Sequence, residues 1–248
     1  MLGRPRVHLR EIDSTNERAK ALALGGAPHG TLVTASAQTA GRGRLGRSWV
    51  APAGSSLLAS FVVRDLGAKT ELWPLAAGVA ACEACEACAP VRCELKWPND
   101  VWIGQRKVAG ILVEGRPQEG WAVLGIGINV TLAPDDLPAE LRETATSLAA
   151  AGGGASGAKR RPTTRALGSE TVLTELCATL APRLAASPEE VVAAWSARDA
   201  LRGRAIRWDG GEGLAAGVDR TGALLVDTPD GRVELHAGEV SLARPRGP

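Results

Sequence analysis

Aromatic side chains are scarce in this chain of 248 residues, which has seven tryptophans, one phenylalanine and no tyrosine. Alanine, valine and leucine must therefore fill most of its core. No uninterrupted apolar run reaches the roughly 18 residues that suggest a transmembrane helix. Residues 1–10 also lack the apolar segment of a secretory signal peptide. These absences predict a cytoplasmic protein that makes no membrane contact.

A strong charge of either sign is missing as well. The chain has 29 Lys and Arg against 27 Asp and Glu, which gives a formal net charge of +2. Proteins that track nucleic acid over a whole surface are far more basic. Any basic site must therefore be local, and we expect no DNA binding.

The five cysteines are odd in number, and four of them follow the pattern Cys82-x2-Cys85-x2-Cys88-x4-Cys93. A secreted disulfide framework uses an even number. The spacing also differs from the bacterial ferredoxin run, which has three residues before its last cysteine. Because the first three lie in an alanine-rich stretch, we expect them to pack as small apolar side chains rather than bind a metal.

The order of sequence patterns predicts an α+β protein with two domains. Over residues 1–200, short apolar segments alternate with helical stretches, which predicts a mixed β-sheet flanked by helices. Five short strands separated by glycine-containing turns follow in residues 201–248 and predict a small SH3-like β-barrel. Residues 139–150 are predicted to be helical, and residues 152–162 to form a loop.

The glycine/arginine loop, residues 41–49, has the sequence Gly-Arg-Gly-Arg-Leu-Gly-Arg-Ser-Trp. It matches G-x-G-x-x-G and nearly matches a P-loop, but both motifs need a helix that begins at the glycines. Here Pro52 and Gly54 precede a strand, which excludes both motifs. Three guanidinium groups among glycines suit a phosphate or carboxylate ligand. The alternative is a solvated basic turn.

Three further features of the sequence each have both a functional and a structural interpretation. Lys107 follows a hairpin turn, so its ammonium could face a ligand or simply reach solvent. Asn99 and Asp100 could act chemically or serve as ordinary turn residues. The Gly125–Asn129 segment interrupts an apolar strand, which indicates either close approach of a ligand or a β-bulge.

Together these segments resemble the biotin protein ligase family in order and spacing. The resemblance covers residues 11–130 and returns at residues 222–225 and 238–242. The motifs that carry it are Ser14-Thr15-Asn16, Gln38, the glycine/arginine loop, Lys96-Trp97-Pro98-Asn99-Asp100, Arg106–Glu114 and Gly125–Asn129. The family implies an enzyme that uses ATP and Mg²⁺ to adenylate biotin and passes it to a lysine of a biotin carboxyl carrier protein.

The resemblance also implies roles for individual residues. The biotin-binding set comprises Ser14, Thr15, Asn16, Gln38, Gly41, Arg42, Gly43, Arg44, Lys107, Gly110 and Leu112. The ATP-binding set comprises Arg42, Arg44, Arg47, Trp49, Lys96 and Asn129. Lys107, Arg44 and Asp100 form the catalytic set, in which Asp100 is either the base for the acceptor lysine or a magnesium contact. No metal site made of protein ligands is expected.

Two rivals accompany this hypothesis. A lipoate ligase uses related chemistry, although the arginine loop and the Ala109–Glu114 segment favour biotin. A non-catalytic biotin-binding or regulatory module is the second rival, against which Lys107 and the complete arginine loop argue. Because the family-like sequence starts at Glu11, we expect no helix-turn-helix repressor domain. The sequence leaves open whether the protein forms a homodimer.

Overall fold

A computed structural model describes residues 1–64, 70–153 and 166–243, so residues 154–162 of the loop predicted over residues 152–162 lie outside them. The first sheet has the strand order β1-β2-β3-β7-β6-β5-β4. Only β1 and β2 are parallel among its neighbouring pairs. The predicted mixed sheet is thereby confirmed. Its strands are β1 (Arg6–Ile12), β2 (Leu32–Gln38), β3 (Ser56–Arg64), β4 (Glu94–Lys96), β5 (Asp100–Ile103), β6 (Arg106–Arg116) and β7 (Trp121–Asn129).

Helices cover both faces of this sheet. One face packs against α1, and the other packs against α2 and α4, where most of the core lies. None of the helices in the described ranges is long and apolar enough to cross a membrane. The helices are α1 (Thr15–Leu24), α2 (Trp73–Cys88), α3 (Leu148–Gly152), α4 (Ser169–Ala185) and α5 (Pro188–Ser196).

The two-residue period of β7 decides what each face presents, because successive side chains point to opposite sides of a strand. Leu124, Ile126 and Ile128 join the core on the α2 side. Gly125 and Gly127 consequently face the α1 side, where they leave the sheet without side chains. This bare region becomes the floor of the site.

The second sheet is antiparallel throughout and has the order β11-β10-β9-β8-β12. Its contacts with the first sheet include the indole N–H of Trp97, which donates to the carbonyl of Gly222 at 3.0 Å. Leu95 also exchanges backbone hydrogen bonds with Arg198 and Ala200. The strands are β8 (Ala205–Trp208), β9 (Gly211–Val218), β10 (Leu224–Thr228), β11 (Gly231–Leu235) and β12 (Ser241–Leu242).

The helix predicted over residues 139–150 is wrong. Only a short 3₁₀ turn at Ala139–Leu141 and the later helix α3 form there. Between them, the carbonyl of Thr144 accepts from the N–H of Lys107 at 2.8 Å, and the N–H of Thr146 donates to the carbonyl of Lys107 at 2.9 Å. This segment lies beside Lys107 like a short extra strand, so tertiary pairing has overridden helical propensity.

The sequence Ser14-x-x-Glu17 predicts a capping box, and this expectation is also wrong. Ser14 is the N-cap residue of α1, but its side chain makes no capping hydrogen bond. The carboxylate of Glu17 instead pairs with Lys20 and with Arg42 of the glycine/arginine loop. The start of α1 is therefore tied to the site rather than to its own backbone.

Asp199, between α5 and β8, generates a pH-dependent stability prediction. Its Oδ1 accepts from the N–H of Leu201 at 2.8 Å, whereas its buried Oδ2 has no partner. Burial raises the pKa of this carboxyl, and backbone hydrogen bonds from Leu201 and Arg202 only partly oppose the rise. Since the folded-state pKa exceeds the unfolded one, ionisation destabilises the fold as pH rises through that range.

We expect Asp199→Asn, which keeps an acceptor oxygen, to melt at a higher temperature than the wild type at pH 7. The difference should shrink as pH falls towards the ordinary aspartate pKa of about 3.9. Circular dichroism melting curves at several pH values measure this, with the exposed Asp230→Asn as the control. A difference that does not vary with pH would show that the buried charge is not responsible.

Candidate functional site

A cavity of about 600 Å³ lies over the bare region of the first sheet. Its walls come from the start of α1, the glycine/arginine loop, strands β3 and β5–β7, and the segment that leads into β12. The cavity brings together all but one of the residues that the sequence singled out, namely Ser14, Thr15, Asn16, Gln38, Arg42, Gly43, Arg44, Arg47, Trp49, Lys96, Asp100, Lys107, Gly110, Leu112 and Asn129.

Gly41 is the exception, because it does not line this cavity. It faces a neighbouring cavity of about 870 Å³ on the other side of the glycine/arginine loop. A Cβ at this position would overlap the carbonyl oxygen of Trp49. The lack of a side chain at Gly41 therefore allows the two ends of the loop to approach each other. Because Gly41 does not line the first cavity, its position does not support the predicted contact with a ligand there.

Polar side chains crowd the end of the cavity next to α1. The hydroxyl and the backbone N–H of Thr15 both donate to Oε1 of Gln38, at 2.9 and 2.7 Å. Ser60 Oγ lies 2.8 Å from Thr15 Oγ1 and 2.6 Å from Asn16 Oδ1, so its single proton is shared between two acceptors. Mutual hydrogen bonds thus fix the orientation of each group before any ligand arrives.

The glycines of β6 and β7 let side chains lie directly on the sheet. A Cβ on Gly127 would come within 2.7 Å of the Trp49 ring, and one on Gly110 within 3.0 Å of that ring and 3.1 Å of Lys107 Cε. Asn16 blocks the same space at Gly125. The pairing of β7 shows no register shift with either neighbour, which excludes the β-bulge interpretation.

Lys107 is held inside the cavity rather than reaching into bulk solvent. Its Nζ lies 2.7 Å from Asp100 Oδ1 and 5.7 Å from the centre of the Trp49 ring. Lys96 approaches the other oxygen of Asp100 at 4.0 Å. Burial lowers the pKa of Lys96, although Asp100 and Glu239 oppose the shift. Two ammonium groups therefore share one carboxylate at the centre of the cavity.

Each arginine of the glycine/arginine loop contacts a different part of the protein. Arg42 pairs with Glu17 of α1 at 2.6 Å, and Arg47 pairs with Glu239, which precedes β12. Arg44 donates to the side-chain oxygen of Asn99 at 3.4 Å. The loop is thus connected to α1, to the β4–β5 turn and to the second sheet, which a freely solvated basic turn would not be.

One aromatic side chain, Trp49, and one amide side chain, Asn129, line the opposite end of the cavity. The indole N–H of Trp49 is buried without a partner, which leaves a hydrogen-bond donor available. Asn129, by contrast, already uses both halves of its amide, because it accepts from Ser56 at 3.2 Å and donates to the carbonyl of Thr146 at 3.0 Å. Asn129 therefore holds the wall of the cavity, whereas Trp49 retains an unused polar group.

Sequence reasoning missed several residues of the site. Ser60 is one of them, and its signal was a serine in the middle of the apolar β3. The sequence indicated Glu17 only as a helix-capping residue and did not single out Lys20, and Glu239 was noted only within a family-like segment. Pairing partners of this kind lie far apart in the sequence, so no local pattern identifies them.

The cysteines lie in the core, away from the cavity. Cys82, Cys85 and Cys93 are buried, and none of the five cysteines, which all lie in the described ranges, forms a disulfide. Hydrogen bonds from the thiols of Cys82 and Cys85 lower the pKa of Cys93 to about 5. Within residues 1–64, 70–153 and 166–243, no group of three or more His, Cys, Asp or Glu side chains is arranged to hold a metal.

The glycine floor yields a direct test. We expect Gly125→Ala to displace Asn16 and to lower the free energy of unfolding by about 1–3 kcal/mol, the usual range for overpacking a tight site. Urea denaturation measures the loss. Gly25→Ala is the control, since Gly25 has a φ of −76° and a Cβ there meets only two carbonyl oxygens at an ordinary contact distance of 3.5 Å. Equal stabilities of the two variants would contradict the close approach.

Comparisons with known proteins agree with this geometry. Residues 9–130 match the model described as "Biotin/lipoate A/B protein ligase family", and residues 210–243 match "Biotin protein ligase C terminal domain". The chain is 41% identical over 158 residues to the bifunctional ligase/repressor BirA of Bacillus spizizenii, which covers 62% of this chain. It spans only about half, 49%, of that relative's length.

Two other relatives match over most of both chains. The biotin–[acetyl-CoA-carboxylase] ligase of Mycobacterium tuberculosis is 36% identical over 93% of this chain and 86% of its own. The Aquifex aeolicus biotin protein ligase, solved in complex with biotin and ATP, has a TM-score of 0.81 and 30% identity over 97% of this chain and 99% of its own. With the two sheets and the cavity arranged as described, the chain belongs to the biotin protein ligases of the biotin/lipoate A/B protein ligase family.

Proposed function

We propose that the protein uses ATP to convert biotin into biotinyl-5'-adenylate and then transfers the biotin to a specific lysine of a biotin carboxyl carrier protein or domain. One observation carries this proposal. A single cavity joins a hydrogen-bonding polar end, two central ammonium groups and an indole lying on bare backbone. The polar end suits the ureido ring of biotin, the two ammonium groups suit the carboxylate and the phosphate that must meet, and the indole suits the adenine of ATP.

The first step must bring two anions together, because the carboxylate of biotin attacks the α-phosphorus of ATP and releases pyrophosphate. Lys107 lies where it can contact both. One ion pair at 4 Å is worth about 1 kcal/mol in water but about 4 kcal/mol at an effective dielectric constant of 20. If the glycine/arginine loop excludes water from the cavity, it lowers the effective dielectric constant and so strengthens the ion pairs that Lys107 makes.

The two ends of the cavity suggest how the substrates lie. The polar end formed by Ser14, Thr15, Asn16 and Gln38 suits the ureido ring of biotin, with Gly110 and Leu112 beside the rest of the molecule. The adenine would lie against Trp49, whose free indole N–H can donate to it. The arginines of the loop and Lys96 then face the phosphates.

Asp100 is the proposed base for the acceptor lysine in the second step, or a contact for magnesium. Its ion pair with Lys107 supports an additional task, which is to hold that ammonium in place before the anions bind. Among the residues that the structure describes, no group of three or more His, Cys, Asp or Glu side chains is arranged to hold a metal, so Mg²⁺ would enter with the phosphates of ATP, as it commonly does.

The partner and setting follow from the same proposal. The acceptor is a carrier domain of a biotin-dependent carboxylase, and neither DNA nor a membrane takes part. We propose the cytoplasm as the location, which the absence of disulfides among the five described cysteines supports, since thiols stay reduced there.

The decisive experiment measures the intact mass of a purified biotin carboxyl carrier domain after incubation with the protein, ATP and Mg²⁺. We expect the mass to increase by one biotinyl group when biotin is supplied and to stay unchanged with lipoate. A variant carrier without the acceptor lysine is the control. Modification by lipoate instead would assign the protein to the rival activity, and no modification by either acid would refute ligation.

The role of Lys107 can be separated from binding. We expect Lys107→Ala to lower biotin-dependent ATP–pyrophosphate exchange by about 10²–10³-fold, the usual loss when a charge that stabilises a transition state is removed. Biotin affinity, measured by calorimetry, should fall much less. Arg106→Ala, which removes the exposed neighbouring cation, is the control. Near-normal exchange in the Lys107 variant would remove this residue from the mechanism.

A further inference from the structure

A chain of charged side chains connects the polar end of the cavity to the glycine/arginine loop. Asn16 donates to Glu114 at 2.8 Å, and Lys20 lies 3.1 Å from the same carboxylate. Lys20 also lies 2.7 Å from Glu17, which in turn pairs with Arg42 at 2.6 Å. We call these five residues the α1 relay. Its members come from α1, from β6 and from the loop.

We propose that Glu17 is a positioning residue that keeps the glycine/arginine loop seated over the cavity and so retains the adenylate intermediate. The inference rests on the proposed function, because it assigns a task within that reaction. Glu17 itself does not line the cavity. It acts through Arg42, which does line the cavity and pairs with Glu17.

The charges of the α1 relay make this contact effective. Two carboxylates, Glu17 and Glu114, alternate with two cations, Lys20 and Arg42, so the group is neutral as a whole. Burial opposes the charge on Lys20, but its bonds to Glu17 and Glu114 outweigh that effect and raise its pKa. Burial likewise opposes the charge on Glu114, and its bonds to Asn16 and Lys20 lower its pKa. Glu17 is therefore held by Lys20 in a position to receive Arg42.

The other end of the α1 relay fixes the amide of Asn16. Its nitrogen donates to Glu114, and its oxygen accepts from Ser60 at 2.6 Å. One orientation of the amide satisfies both partners. The network that holds the loop through Arg42 thus also presents Asn16 to the cavity, which links the polar end of the site to its cover.

A purely structural role of Glu17 predicts a different outcome. A carboxylate in the first turn of α1 stabilises the helix through its dipole. If that were the only effect, removal of the charge would lower the melting temperature and leave the loop unchanged. Motion of the loop in the ligand-free protein therefore distinguishes the two roles, and it can be measured without relying on catalysis.

We would compare the wild type with Glu17→Gln by amide hydrogen exchange of residues 41–49 in the absence of ligands. The matched control is Glu11→Gln, an exposed carboxylate in β1. We expect exchange of the loop to be about two- to fivefold faster in Glu17→Gln, as for the loss of a partly exposed ion pair. At about 1 M salt, where screening acts beyond roughly 3 Å, the wild type should approach the variant. Unchanged loop exchange would overturn the inference.

The second measurement is the rate at which adenylate, formed from biotin and radiolabelled ATP, leaves the protein after dilution. We expect release from Glu17→Gln to be about two- to fivefold faster, with the melting temperature close to that of Glu11→Gln. Faster loop exchange with unchanged release would overturn the positioning role. If the wild type forms no adenylate, the proposed function itself fails. If the wild type forms adenylate and Glu17→Gln retains it equally well, this inference fails while the proposed function stands.

Discussion

The site depends on a close approach of side chains to the bare backbone of β6 and β7. Trp49, Lys107 and Asn16 occupy the volume that a Cβ would need at Gly127, Gly110 and Gly125. These six residues come from four separate segments of the chain, namely α1, the glycine/arginine loop, β6 and β7. Because protein interiors are packed to the density of organic crystals, even one added methyl group cannot be absorbed without displacing a neighbour. The cavity is therefore produced by the absence of side chains on one face of an otherwise densely packed sheet.

Electrostatic contacts complete what the glycine floor begins. The cavity contains two lysines around Asp100, and the arginines of the loop extend towards Glu17 and Glu239. In the absence of ligand, protein carboxylates thus partner the cations that the proposed reaction needs. Anionic substrates would exchange these partners rather than meet isolated charges, which limits the free energy of assembling so many cations in one place.

Contacts between the two sheets link the second sheet to the functional site. Glu239 reaches Arg47, and the Trp97 indole binds the carbonyl of Gly222 beside the β4–β5 turn. That turn carries Asn99, which Arg44 contacts, and Asp100, which Lys107 contacts. The second sheet is thereby coupled to the position of the glycine/arginine loop.

The sequence pattern was sufficient to predict the mixed sheet with its flanking helices and the five strands that follow, because periodicity and turn residues are local properties. It also determined the family resemblance, since the motifs around the loop, Lys107 and Asn129 are short and contiguous. The tertiary structure alone decided which partners these residues have. Ser60, Glu17 and Glu239 join the site only because distant segments meet, and residues 144–146 pair with Lys107 instead of forming the predicted helix. Local pattern encodes an element and its faces, whereas the contacts between elements arise from packing the whole chain.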